Sequence, residues 1–202
     1  MFKNLHLIKS SMLIMSMLLL SCSPIVRFFY GIKKPKIENE KSISNYAMKI
    51  GMSKQNIYSL SFEDYKKTLD LIKKKVPEVW IFNREGNFVP YGDAWACNAS
   101  AFDFIKNLSD SAKYQSLNNP SFNSLPFRLK DLNGKNVEID LSDANYHVFI
   151  YWAKFAGKLN KDHVKVWENQ ALENTKTKIK VYKVNMDFQE HWGKETLDKL
   201  VK

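Results

Sequence analysis

Two cysteines in 202 residues are too few for a disulfide framework, so stability has to come from packing. Glycine and proline are also scarce, at seven and six, which excludes collagen-like repeats and low-complexity linker proteins. Acid is in deficit: 21 Asp and Glu stand against 31 Lys and Arg, a formal net charge of +10. That surplus is mostly lysine and is scattered, without the Arg-rich or basic-aromatic clustering of a nucleic-acid groove, so no nucleic-acid partner is expected. Neither a G-x-S-x-G elbow nor a P-loop nor a dinucleotide fingerprint occurs. His147, His163 and His191 are widely spaced, and Glu190-His191 lacks the second helical His of a zinc protease, so no metal or cofactor is expected. Asp162 with Glu168 reads as a solvated helix face rather than an acid/base pair.

One long hydrophobic run is present, and it lies at the start. Lys3 and Lys9 precede Met12–Leu20, which is broken only by Ser16 and ends in Leu19-Leu20-Ser21-Cys22. A membrane span needs about 20 consecutive apolar residues; this run is shorter, and Pro24 follows closely, so residues 1–21 read as a signal peptide. The tetrapeptide resembles the lipobox of bacterial lipoproteins. The resemblance implies cleavage before Cys22, a lipid on its thiol, and a protein of the cell envelope that meets a bacterial membrane through that lipid. Losing Lys3 and Lys9 takes the formal charge from +10 to about +8, a balance that suits a solvated face or attraction to anionic envelope surfaces.

With Cys22 lipidated, Cys97 is the remaining thiol. Its setting, Ala94-Trp95-Ala96-Cys97-Asn98-Ala99, suits a buried thiol at the start of a helix. A cysteine near a helix N-terminus can acquire a lowered pKa and react, whereas most lone cysteines act as small hydrophobes. Both readings stay open.

Beyond Cys22, residues 22–41 read as a membrane tether, with Arg27, Lys33, Lys34 and Lys36 around Phe28-Phe29-Tyr30, a composition able to lie against a bilayer. Residues 42–108 form an α/β half. Its pattern predicts a helix over Ile43–Gly51, a strand at Ile57–Leu60 and a helix over Phe62–Lys74. A hairpin of Val79–Phe82 and Asn87–Tyr91 about Arg84-Glu85-Gly86 follows, then a helix over Ala99–Leu108. Residues 109–124, rich in Ser and Asn, read as a linker.

The half 125–202 opens with a hairpin, Phe127–Asp131 and Lys135–Leu141, about Asn133-Gly134. Next come a strand covered on both faces, His147–Ala153, and a helix over Lys158–Leu172 with Leu159, His163, Val166, Trp167 and Gln170 near one stripe. A buried strand, Lys178–Asn185, and a helix, Glu195–Val201, complete the chain. Strands joined by helices predict an α/β layered fold. Trp152, Phe155 and Trp167 read as core, with a peptide-binding surface as the alternative.

From Gly134 to Asp187, about a quarter of the chain, the sequence resembles the first half of a thioredoxin-like domain of the membrane-anchored periplasmic thiol-disulfide oxidoreductase type. Where that family reads W-A-x-W-C-G-x-C, this chain has Trp152-Ala153-Lys154-Phe155-Ala156-Gly157-Lys158-Leu159. The resemblance implies a three-layer thioredoxin-like sandwich with Ala156, Gly157, Lys158 and Leu159 as a degenerate redox site. Disulfide exchange needs an attacking thiolate and a resolving thiol, and neither Ala156 nor Leu159 supplies one. A redox-inactive binding or assembly module with an envelope protein partner is the expected function. The alternative is a thiol-dependent oxidoreductase or peroxidase that uses Cys97.

About 15 residues follow Asp187, too few for the loop, hairpin and helix that complete such a fold. Upstream, Val76-Pro77-Glu78-Val79-Trp80-Ile81-Phe82 and Arg84-Glu85-Gly86-Asn87-Phe88-Val89 resemble the family's V-P-x-x-x-hydrophobic-D-x-x-G hairpin, with Asn83 at the Asp position. Two arrangements remain. In a circularly permuted domain, Val79–Phe82 pairs antiparallel with His147–Ala153, and Pro77 is cis and faces Ala156-Gly157. Otherwise the halves are two separate α/β units.

Overall fold

The computed structural model of the chain describes residues 27–92, 98–110 and 121–200. Residues 27–30 make one helical turn and Ile37–Glu38 a short strand, β1. Helix α1, Glu40–Lys49, starts earlier than the apolar spacing predicts because Asn39 caps it. The Asn39 side chain accepts the Ser42 N–H, and the Ser42 hydroxyl accepts the Asn39 N–H. Gly51, at φ +81°, follows its end. Strand β2 is Ile57–Tyr58. Helix α2, Phe62–Leu71, is capped by Ser61 and ends three residues before the predicted Lys74, since Lys73 and Lys74 both adopt positive φ.

Strand β3, Glu78–Asn83, turns back through Gly86. The second limb meets it at a single bridge, Phe82 to Phe88, supported by Val89 N–H on the Ile81 carbonyl. Helix α3 is Ala101–Asn107. The predicted 127–141 hairpin is likewise shorter than its sequence pattern: Lys130 bridges Asn136 on one side and Ser59 on the other. Strand β4, Tyr146–Trp152, and strand β5, Ile179–Asn185, flank helix α4, Lys165–Glu173. A two-residue strand β6, Phe188–Gln189, and helix α5, Lys194–Leu200, complete the described chain.

Four strands form one mixed sheet in the order β2-β5-β4-β3, with β1 and β6 paired separately. β2 and β4 run parallel to β5, and β3 runs antiparallel to β4, with Glu78 opposite Tyr151 and Asn83 opposite Tyr146. Strands from both halves of the chain therefore share a sheet, and the arrangement as two separate α/β units does not hold. The Val76–Pro77 peptide is cis. The fold is a mixed α/β assembly with its sheet covered on both faces.

All seven residues of β4 are buried, as the absence of alternation in its sequence predicts. Successive side chains point to opposite faces. Val148, Ile150 and Trp152 join a cluster with Ile43 of α1, Ile105 of α3 and Trp167 of α4. Phe149, Tyr151 and Ala153 join Tyr65 of α2, Phe127 and Leu129 on the other face. Trp152 and Trp167 are thus core and line no peptide surface.

Two expectations fail because polar side chains turn inward. The predicted stripe from Leu159 to Gln170 is displaced by one: the buried positions are Asn160, Val164, Trp167, Glu168 and Ala171. Residues Asn160–Val164 form a π-helical turn before α4, and Asn160 points under the sheet end. Glu168 is no solvated partner of Asp162. It pairs with Lys183 of β5, their side chains 4% and 1% exposed, and both groups hold Ser53: Glu168 accepts its N–H at 3.2 Å and Lys183 donates to its carbonyl. Burial lowers the Lys183 pKa, with Glu168 opposing that shift.

The ends of the predicted linker pack as well. Asp110 accepts a hydrogen bond from Asn145 at 2.8 Å, and Phe122 donates its N–H to the Gly86 carbonyl while its ring meets Phe82 and Phe149. The remainder, residues 111–120, lies outside the described residues.

Candidate functional site

β4 delivers its last residue, Trp152, into the core, stacked on Tyr46 at 6.2 Å, and the chain then leaves the sheet. Residues Lys154–Ala156 form a 3-10 turn, and Gly157 follows at φ +61°, ψ −128°, a conformation that excludes most side chains. The predicted degenerate redox site is this loop. Ala156 is buried, Gly157 and Leu159 are half-buried, and Lys158 is exposed.

Three groups hold the loop from below. Asn160 donates to the Ala153 carbonyl at 2.7 Å and to the Tyr46 hydroxyl at 3.1 Å. Tyr46 in turn donates to the Gly157 carbonyl at 3.2 Å. Asp187, just past β5, accepts the Lys154 N–H at 2.6 Å and the Asn185 amide at 3.0 Å. Burial pushes the Asp187 carboxyl up to about 6 despite those hydrogen bonds, and nearby Glu38 adds to the rise. The Lys154 ammonium pairs with Glu38, the second residue of β1.

From above, the loop is covered by the chain's own N-terminal segment. The Lys158 N–H donates to the Tyr30 carbonyl and the Lys33 N–H to the Phe155 carbonyl, each at 2.8 Å. Gly157 lies so close to this strap that a Cβ there would sit 2.2 Å from the Tyr30 oxygen and 2.6 Å from that of Gly31. Glycine is required on both counts, backbone angle and space. Much of the predicted tether, 27–38, is therefore folded onto the domain. Sequence reading missed this because the strap is held by backbone groups, which any residue carries.

Between strap, loop and α1 lies an open cavity of about 550 Å³ whose lining includes seven lysines and two carboxylates, Glu38 and Asp187. A second concavity of about 800 Å³, sharing no lining residue with the first, runs along Phe122, Leu125, Phe127 and Ile139.

The other predicted site residues are dispersed. Cys22 and Cys97 lie outside the described residues. Pro77 is buried and precedes Glu78, whose partner in the sheet is Tyr151, so it lies at the sheet end from which the loop departs; its carbonyl accepts from Asn98 at 2.9 Å. His147 is fully buried, its Nε2 2.9 Å from the Leu141 carbonyl, and burial lowers its pKa. His163 packs against Phe102 and Trp167, and His191 meets the Ser59 hydroxyl at 3.0 Å. No cluster of three potential metal ligands occurs among the described residues, nor is any helix there long and apolar enough to cross a membrane. In comparisons with known proteins, no family model, no curated protein and no solved structure matches this chain.

Proposed function

We propose that this chain is a lipid-anchored protein of the bacterial cell envelope. Its domain is a thioredoxin-like sandwich in circularly permuted order that binds or assembles with an envelope partner and does no redox chemistry. One observation carries the reading. The loop after β4, where an oxidoreductase of the resembled family presents its reactive thiols to substrate, here carries Ala156 and Leu159 and is covered by the strap through Tyr30 and Lys33. Thiol exchange needs a thiolate and open access to it; this loop has neither. The antiparallel pairing of β3 with β4, and α3 packed beside α4 through Phe102 and Trp167, support the permuted order. A partner has the 800 Å³ concavity available, whose lining combines Phe122, Phe127 and Ile139 with Asp64, Arg128 and Glu138.

The test is turnover of a model disulfide by the purified protein together with fatty-acid labelling in cells. No reductase activity is expected, and labelling is expected to disappear in Cys22→Ala. Reductase activity that survives Cys97→Ala would overturn the redox-silent reading. Activity abolished by Cys97→Ala would instead assign the chemistry to that thiol, and lipid labelling of the Cys22→Ala chain would remove the anchor.

A further inference from the structure

The large exposed apolar side chains are unevenly distributed. Among the described residues Phe28, Phe29, Tyr30, Ile37 and Met48 fall within 28–48, and Leu172 alone lies elsewhere. Phe28 is 83% exposed and Phe29 65%, their rings edge to face at 6.1 Å. Scattered apolar residues on a surface are ordinary, whereas a concentration of them marks contact with something.

The same segment borders the lysine-lined cavity. Lys33, Lys34, Lys36, Lys49, Lys158 and Lys161 are exposed there, and none forms an ion pair among the described residues. The two carboxylates of the cavity are engaged inward, Glu38 by Lys154 and Ser42, Asp187 by the Lys154 backbone and Asn185. An uncompensated cationic rim therefore adjoins a pair of exposed aromatic rings. A soluble polyanion uses the cations and leaves the phenyl rings in water. An anionic bilayer uses both, since aromatic rings partition to the headgroup level and lysines pair with lipid phosphates.

We propose that this face docks on the surface of an anionic phospholipid bilayer. Phe28 and Phe29 enter the headgroup layer, the cavity lysines meet lipid phosphates, and the loop Ala153–Leu159 turns toward the membrane. The inference deepens the anchored reading of the protein and rests on it for location: Cys22 precedes Arg27 by five residues, a reach of at most about 18 Å, so a lipid there keeps this face at the bilayer. The affinity of the face itself needs no lipid on the protein.

The test uses the chain from Ser23 to Lys202, which contains every described residue and no lipidation site, in sedimentation with vesicles of phosphatidylcholine with or without phosphatidylglycerol. Binding is expected only with phosphatidylglycerol and is expected to weaken with salt. Each lysine brought to such a surface is worth about fivefold. Replacing Lys33, Lys34, Lys158 and Lys161 together by Gln should therefore reduce binding by about a hundredfold or more. The same change at Lys66, Lys67, Lys176 and Lys199 should cost far less, and Phe28→Ser with Phe29→Ser should weaken binding independently. Failure to bind anionic vesicles, equal loss from both lysine sets, or equal binding to neutral vesicles overturns the proposal. So does binding to heparin as tight as to vesicles and indifferent to the Phe changes, which would assign the face to a soluble polyanion. Absence of fatty-acid labelling at Cys22 would remove the anchor and leave the vesicle result standing; absence of vesicle binding with labelling intact removes the docking face alone.

Discussion

β4 and the strap reach the same loop from opposite sides, and they are held by different physics. The seven side chains of β4 are all buried, and a fully buried Val, Ile or Phe contributes about 1.5–3 kcal/mol. The strap has Phe28, Phe29, Lys33 and Lys34 exposed and reaches the loop through two backbone hydrogen bonds, each worth about 0.5–1.5 kcal/mol net. The lower side of the loop is thus fixed by the core and the upper side by contacts that can be released separately.

The largest effect should come from the buried side. Trp152→Ala removes a fully buried ring stacked on Tyr46 and should destabilise the fold by about 3–5 kcal/mol, read as a lower urea midpoint. A loss under about 1 kcal/mol would mean that the sheet end is not held by the core.

Next is the pH dependence at Asp187. Its carboxyl rises from 3.8 to about 6 in the fold, chiefly by burial, so the native state holds this proton more tightly than the unfolded chain. The associated stability is fully present below the unfolded value near 4 and is lost as pH rises through about 6, a difference of about 3 kcal/mol from this group. Asp187→Asn should flatten stability between those pH values, measured by urea denaturation across the range. An unchanged slope would show that the lower support of the loop is not the titrating element.

Gly157→Ala sharpens the contrast further. The added Cβ meets the Tyr30 and Gly31 oxygens, and the backbone angle disfavours alanine, so a loss of about 2 kcal/mol is expected. Faster hydrogen exchange at the Lys33 and Lys158 amides should accompany it, with the amides of β4 still protected. Equal loss of protection in β4 would break the distinction between strap and core. The smallest effect should come from Phe28→Ser with Phe29→Ser, which leave a surface already exposed and should change stability by no more than about 0.5 kcal/mol, by the same urea measurement.

The legible parts of the fold were those in which local pattern and burial coincide. β4 and β5 read as buried strands because β-branched and aromatic residues run without alternation, and α1 and α2 read as helices because Ile43, Ala47, Tyr65 and Ile72 recur at helical spacing. The pairing of Val79–Phe82 with β4 was one of two arrangements the sequence allowed, since a strand's sequence states how it is buried and not beside which strand. Trp152 and Ala153 mark the point at which the chain leaves β4 for the loop, yet the surroundings of that loop were not legible in the sequence. Glu168 read as outward, and Asn160 fell outside the expected stripe, because periodicity counts polar residues as solvent-facing. Each goes inward because a specific partner waits there, the Ala153 carbonyl for one and Lys183 for the other.

The sequence by itself determined that β4 and β5 bury their side chains, where α2 begins, and that Ala156 and Leu159 carry no thiol. All of these depend on the residue and its near neighbours. Tertiary structure alone decided that both halves share a sheet, that Lys183 has its counter-charge, and that residues 27–36 cover the loop. Those outcomes depend on partners more than 100 positions apart in the case of Lys158 and Tyr30, and on backbone groups that are the same in every residue. No local pattern can encode them, because the free energy that selects them exists only once the core has brought the partners together.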